Sequence, residues 1–174
     1  MRKYSKKELQ FYKKLRTSQN YNFSKYCLEK YCKNIKKKIT IYEIYDKLDK
    51  FIDISDPDLE LPNIVHALQT AEKIRKDGHS EWLQLVGFIH DLGKIIYIKG
   101  CDEDGTSIKA QWAIVGDTFI TGTKIPNNKD DPFQKFNHLN KDKDKNMYEP
   151  NCGLDNCVCS FGHDEYLYHI LLKN

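Results

Sequence analysis

From Thr40 onward the apolar residues fall at helical spacing. Ile41, Ile44, Tyr45, Leu48, Phe51 and Ile52 recur at i, i+3, i+4 and i+7, the stripe of an amphipathic helix packed on a core. Thr40 with Glu43 three residues later forms a capping box at its start, and the carboxylate-rich, Pro-bearing loop Asp53–Asp58 ends it. Pro62 suits the first turn of a second helix, whose stripe of Ile64, Val65, Leu68, Ala71 and Ile74 runs until Asp77-Gly78. His66 lies across that helix from the stripe, on the side of Asn63, Thr70 and Lys73, which makes it exposed or cleft-lining. Ser80 caps a third helix in which Trp82, Leu83, Leu85, Val86, Phe88 and Ile89 cover most of the circumference. A helix that is apolar nearly all round is expected to be central and buried. It delivers His90 and Asp91 and stops at Gly93.

The flanks are less regular. Residues 1–38 read as a polar helical arm with a short stripe of Leu9, Phe11, Tyr12 and Leu15, closed by Lys36-Lys37-Lys38, and residues 39–174 form the main domain. Gly, Asp and Ser mark residues 100–110 as an exposed loop, and residues 122–153 as a long polar excursion. Between them lies the compact apolar segment Q-W-A-I-V-G-D-T-F at residues 111–119. A last helix starts at His163, with acidic residues in its first turn. The pattern therefore predicts an all-α fold.

Composition narrows the class. Among the 174 residues, 40% are hydrophobic and 30% charged, and no apolar run reaches the roughly 18 residues of a membrane helix. No apolar h-region follows the basic start, so the expectation is a cytoplasmic protein; a monomer is expected as well. The net charge of +3 is uneven: residues 1–50 hold 15 Lys/Arg against 5 Asp/Glu. Those lysines are scattered without the aromatic interleaving of a nucleic-acid site, so a solvated face is expected, with neither nucleic acid nor membrane as partner. The six cysteines read as free thiols, and the C-x4-C-x-C run of Cys152, Cys157 and Cys159 matches no usual zinc spacing.

Chemistry concentrates in the histidines and their neighbours. His66 on one helix, His90-Asp91 at the end of the next and His163-Asp164 at the start of a later one bring imidazoles and carboxylates from three helices. Buried unpaired, such groups would cost several kcal/mol, so either a metal or a hydrogen-bond network must satisfy them. The mixed N/O set suits iron, manganese or zinc. The competing reading makes them satisfied core or surface histidines, as His79, His138 and His169 are expected to be.

The order H…HD resembles the HD-domain superfamily, most of whose members are metal-dependent phosphohydrolases. The runs D-I-S-D-P-D-L-E-L-P-N-I-V-H-A-L-Q-T-A-E-K-I-R (53–75), L-V-G-F-I-H-D-L-G-K (85–94), Q-W-A-I-V-G-D-T-F (111–119) and G-H-D-E-Y-L-Y (162–168) are similar, in order, to those of the myo-inositol oxygenase family. That resemblance implies an all-helical HD-type fold with two iron ions, which uses dioxygen to cleave myo-inositol to D-glucuronate. It implies His66, His90, Asp91 and His163 as iron ligands, with Asp91 bridging and, with Lys94, catalytic. It places Asp53, Ser55, Lys94, Gly116 and Asp117 around the substrate, and Arg2 with them through an N-terminal R-x-Y matched by Arg2 and Tyr4.

The family pattern continues past the helix at residue 163 with a further histidine and aspartate ligand, so a truncated chain is expected, with the second iron the more exposed to loss. The polar inserts after Gly100 and Gly122 also exceed the family's usual spacing. Two other readings stand beside the oxygenase: an HD-type phosphohydrolase activating water at a metal, and a non-catalytic remnant of the oxygenase.

Overall fold

The computed structural model describes residues 4–33, 35, 38–55 and 61–173. Arg2, the pair Lys36-Lys37 and residues 56–58 of the acidic loop lie outside the described residues. The helices are α1 (Lys6–Ser18), α2 (Tyr21–Cys27), α3 (Ile41–Leu48), α4 (Asn63–Lys76), α5 (Glu81–Ile89) and α6 (His163–Leu171). A π-helical turn, Leu28–Cys32, extends α2, and a 3-10 segment, Leu92–Ile98, follows α5. Two isolated antiparallel bridges, Ile120 with Cys159 and Thr123 with Asn146, are the only extended pairings among the described residues. The fold is all-α, as the pattern predicts.

Side-chain caps mark three of the six described α-helix starts, Ser5, Asn20 and Thr40. Thr40 accepts from the Glu43 amide at 3.2 Å while the Glu43 carboxylate accepts from the Thr40 amide at 2.8 Å, which is the expected capping box. Ser5 and Glu8 repeat the device at α1. Ser80 occupies the cap position of α5, although its hydroxyl makes no cap bond. One core joins the elements: Leu15 of α1, Tyr31, Tyr45 and Leu48 of α3, Leu92, Ile96, Ile114 and Phe161 are all buried in a single cluster. Each such aliphatic or aromatic side chain contributes roughly 1.5–3 kcal/mol by leaving water.

Four expectations are corrected. Helix α3 stops at Leu48; Phe51 is still buried through the following turn, but Ile52 is 61% exposed. The inward face of α4 is not the predicted stripe, because Leu68 is 53% exposed while Asn63 and Ala67 are buried. Asn63 decides this: its amide donates to the Leu48 and Phe51 carbonyls at 2.7 and 2.9 Å, capping the end of α3 and turning that side of α4 inward. Helix α5 is not central. Only Gly87 is buried in it, and Trp82 and Leu85 are 69% and 54% exposed, because α5 packs chiefly on α4. Finally, residues 104–107 in the supposed exposed loop are buried, held by hydrogen bonds among Asp104, Thr106 and Tyr31.

Candidate metal centre

Two glycines bring the site's helices together. A Cβ on Gly87 would displace the end of the Ile74 side chain and touch Thr70 and Ala71 of α4, so the bare glycine lies close on α4, where His90 stands beside His66, ring centroids 5.3 Å apart. A Cβ on Gly93 would meet the backbone carbonyl of His163. Gly93 therefore acts by admitting α6 against the 3-10 segment, a different role from the helix terminator expected of it.

Around Asp91 the geometry converges. Its Oδ2 lies 3.7 Å from His66 Nε2 and 3.4 Å from His90 Nε2, and its Oδ1 lies 3.4 Å from His163 Nε2. The donor atoms of His66, His90 and Asp91 fall within 4.8 Å of one another. Two of the rings are aimed from behind: His90 Nδ1 donates to the Gly87 carbonyl at 2.7 Å, and His163 Nδ1 to the Ile114 carbonyl at 2.7 Å. A carbonyl only accepts, so Nδ1 carries the proton and Nε2 is the atom presented to Asp91. Orienting imidazoles through backbone partners in this way is how proteins prepare histidines for a metal.

The charge balance points the same way. Lys94 is buried, with Nζ 2.7 Å from Asp53 and 3.0 Å from Asp91. Asp53 in turn accepts from the Ser55 amide and hydroxyl at 2.8 and 2.7 Å. One ammonium against two buried carboxylates leaves a net negative charge beneath the three imidazoles. Burial pushes the Asp91 carboxyl up, but Lys94, His90 and His163 outweigh it and hold it below the usual carboxylate range. Burial pushes Lys94 down, and Asp53 and Asp91 more than reverse this, so the ammonium stays charged. Nε2 atoms around an ionised carboxylate, with net negative charge below, fit a divalent cation.

Of the residues singled out from the sequence, Asp53, Ser55, His66, His90, Asp91, Lys94 and His163 are thus linked in one cluster. Gly116 and Asp117 stand apart. Gly116 has φ +98° and packs on Leu15, while the Asp117 carboxylate pairs with Arg16 at 2.6 Å. Arg2 lies outside the described residues. His79 and His138 are exposed, and His169 lies 3.4 Å from Glu165 on its own helix. Sequence reasoning missed Arg16, buried at 5% exposure and bonded to Asp117, Asp131 and Asn137. It also missed the Ile114 carbonyl that accepts from His163. Gly87, three residues before His90, was accessible from helical spacing; the Ile114 contact, 49 residues from its partner, left no local signal.

Histidines from α4, from the end of α5 and from the start of α6 turned onto one buried carboxylate form a group that could hold a metal ion within an all-α fold. Residues 5–174 match the family model for myo-inositol oxygenase, and the chain belongs to that family. It is 43% identical over 145 residues to an inositol oxygenase of Rattus norvegicus, covering 79% of this chain and 48% of the relative. It is 42% identical over 171 residues to inositol oxygenase 2 of Arabidopsis thaliana, covering 95% and 52%. A probable inositol oxygenase of Oryza sativa subsp. japonica is 40% identical over 175 residues, covering 95% and 54%. The chain spans about half the length of the curated relatives it matches.

Proposed function

We propose that this chain carries the metal- and polyol-binding part of an inositol oxygenase, which cleaves the ring of myo-inositol with dioxygen to give D-glucuronate. The observation that supports it most is the division of Asp91: imidazoles of His66 and His90 flank one oxygen and that of His163 the other. His66, His90, Asp91 and His163 would hold iron. Iron there would supply the redox capacity that oxidation of a polyol by dioxygen needs.

The chain's own residues supply binding and proton control. Lys94 spends two of its three N–H donors on Asp53 and Asp91, leaving one for a substrate hydroxyl oxygen. Its charge, held by the flanking carboxylates, lowers the cost of deprotonating that hydroxyl, and its proton stays on Nζ. Asp53 offers an acceptor and Ser55 a hydroxyl that a polyol can exchange hydrogen bonds with. Gly116 and Asp117 would meet substrate from the segment that also carries Ile114, with Asp117 fixed by Arg16. Free thiols and a small free polyol fit a cytoplasmic setting. No helix among the described residues is long and apolar enough to cross a membrane.

Iron content and glucuronate formation test the proposal together. We expect a full-length protein that contains this chain, loaded with iron, to convert myo-inositol with consumption of dioxygen, Asp91→Ala in it to lose most of the bound iron, and Lys94→Met to keep iron while losing at least about 100-fold in rate. Iron retained in full by Asp91→Ala would overturn the ligand assignment. Metal-dependent hydrolysis of phosphomonoesters without inositol turnover would move the chain to the phosphohydrolases.

A further inference from the structure

The stretch 148–159 carries a second piece of chemistry, away from the histidine cluster in its composition and its bonding. Cys152 and Cys157 are both partly exposed free thiols, and their sulfur atoms lie 3.7 Å apart. This proximity is built by the backbone. The Cys152 amide donates to the Glu149 carbonyl at 3.2 Å, the Cys157 amide to Leu154 at 2.9 Å, and the Asn156 side-chain amide to the Cys152 carbonyl at 2.7 Å. Gly153, at φ +84°, makes the turn, and its carbonyl lies 3.5 Å from both sulfurs. The far side of the turn is fixed as well. The Val158 carbonyl accepts from the amide and the hydroxyl of Thr121, both at 2.8 Å, and Cys159 pairs with Ile120. The two thiols are therefore held together by a short turn anchored at both ends, with the exposed residues Gly153 to Asn156 leaving them accessible.

We propose that Cys152 and Cys157 form a reversible dithiol–disulfide site that exchanges with small disulfides such as glutathione disulfide. A disulfide needs its sulfurs at about 2.05 Å, so the pair must close by less than about 2 Å, within the reach of side-chain rotation on an exposed turn. In the exchange, the thiolate of one cysteine attacks a sulfur of glutathione disulfide, forming a mixed disulfide and expelling one glutathione thiolate. The second cysteine, as thiolate, attacks the bonded protein sulfur and expels the other. Two protein thiols are oxidised, one glutathione disulfide is reduced to two glutathiones, and the two protons pass to the departing thiolates. Burial, and then the hydrogen bond with Cys152, raise the Cys157 thiol, so the reduced pair is kept from ionising together. Cys159, whose backbone pairs with Ile120, is the neighbouring thiol that serves as the control.

The test equilibrates the full chain in glutathione buffers of increasing oxidised fraction, traps free thiols, and reads intact mass and peptide linkage. We expect a species lighter by two hydrogens, linked between Cys152 and Cys157 and restored by dithiothreitol. Cys157→Ser should abolish it and accumulate a glutathione adduct on Cys152, whereas Cys159→Ser should leave it unchanged. Independent glutathione adducts on both cysteines, no oxidation at all, or an internal disulfide that survives Cys157→Ser would each overturn the proposal. The readout needs neither iron nor turnover, so its failure is separate from failure of the oxygenase reading.

Discussion

The α4–α5 hairpin and the segment from residue 100 to 161 invert the usual relation between sequence and burial. The hairpin is regular helix and rich in apolar residues, yet Leu68, Trp82 and Leu85 stand more than half exposed and α5 buries only Gly87. The later segment has little regular structure and is largely polar outside residues 111–119, yet beside the apolar Trp112, Ile114 and Phe161 it buries Asp104, Thr106, Gln111, Asn137, Asn140 and Asp142. In the hairpin, small residues permit close approach and deliver His66 and His90. In the later segment, side-chain hydrogen bonds replace the missing helices: Gln111 spans the Ile54 amide and the Ile52 carbonyl, and Asn140 reaches back to α1. Apolar content thus tells where helices form, while the hydrogen-bond network tells where the chain is held.

Deleting a node of that network is the strongest way to break the comparison. Asn140 is 2% exposed; its amide donates to the Arg16 and Gln19 carbonyls, both at 2.6 Å, and its oxygen accepts from the Asp142 amide at 2.8 Å. Asn140→Ala leaves two buried carbonyls and an amide without partners, each costing about 1–3 kcal/mol, so we expect a loss of about 3 kcal/mol or more in denaturant unfolding. A loss below about 1 kcal/mol would mean that the irregular segment is not held through its polar side chains.

These two regions were unequally legible. The capping box of Thr40 and Glu43, the start of α6 and the grouping of His90 with Asp91 are local, and spacing over three or four residues carries them. The face that α4 turns inward was missed because a stripe argument weighs side-chain hydrophobicity, whereas Asn63 is drawn in by the carbonyls at the end of α3. The burial of residues 104–107 and of Asn140 depends on partners 73 to 124 positions away, and periodicity holds no information about such pairs. The histidine cluster was found by residue type and order. Its orientation, through the Gly87 and Ile114 carbonyls, belongs to the backbone.

Acid titration sharpens the same contrast at Asp104. Burial pushes this carboxyl up, but hydrogen bonds from Lys30, Thr106 and Tyr31 prevail and bring it down to about 2. A carboxyl depressed in the folded state stabilises the fold above its ordinary value near 3.8 and loses that contribution as pH falls toward about 2. We expect about 2 kcal/mol of stability to disappear over that window. Asp104→Asn should be less stable than the parent at neutral pH and show a flatter acid limb. An unchanged limb would place the acid sensitivity elsewhere.

The smallest expected effect tests the other side. If α5 is a helix with one working face, Trp82→Ser and Leu85→Ser should each change unfolding stability by less than about 0.5 kcal/mol, since they lose little buried area. Leu48→Ala, at 0% exposure in α3, should cost about 2–5 kcal/mol through lost transfer energy and a cavity. Leu85→Ala, made beside Leu85→Ser, gives the matched pair with Leu48→Ala: the same residue exchange in two helices, so that burial is the main difference between them. Denaturant midpoints at unchanged m-value give the answer. Equal losses at Leu85 and Leu48 would show that the outer face of α5 is covered in solution, and the contrast between the two regions would then reduce to one of regular structure rather than of burial.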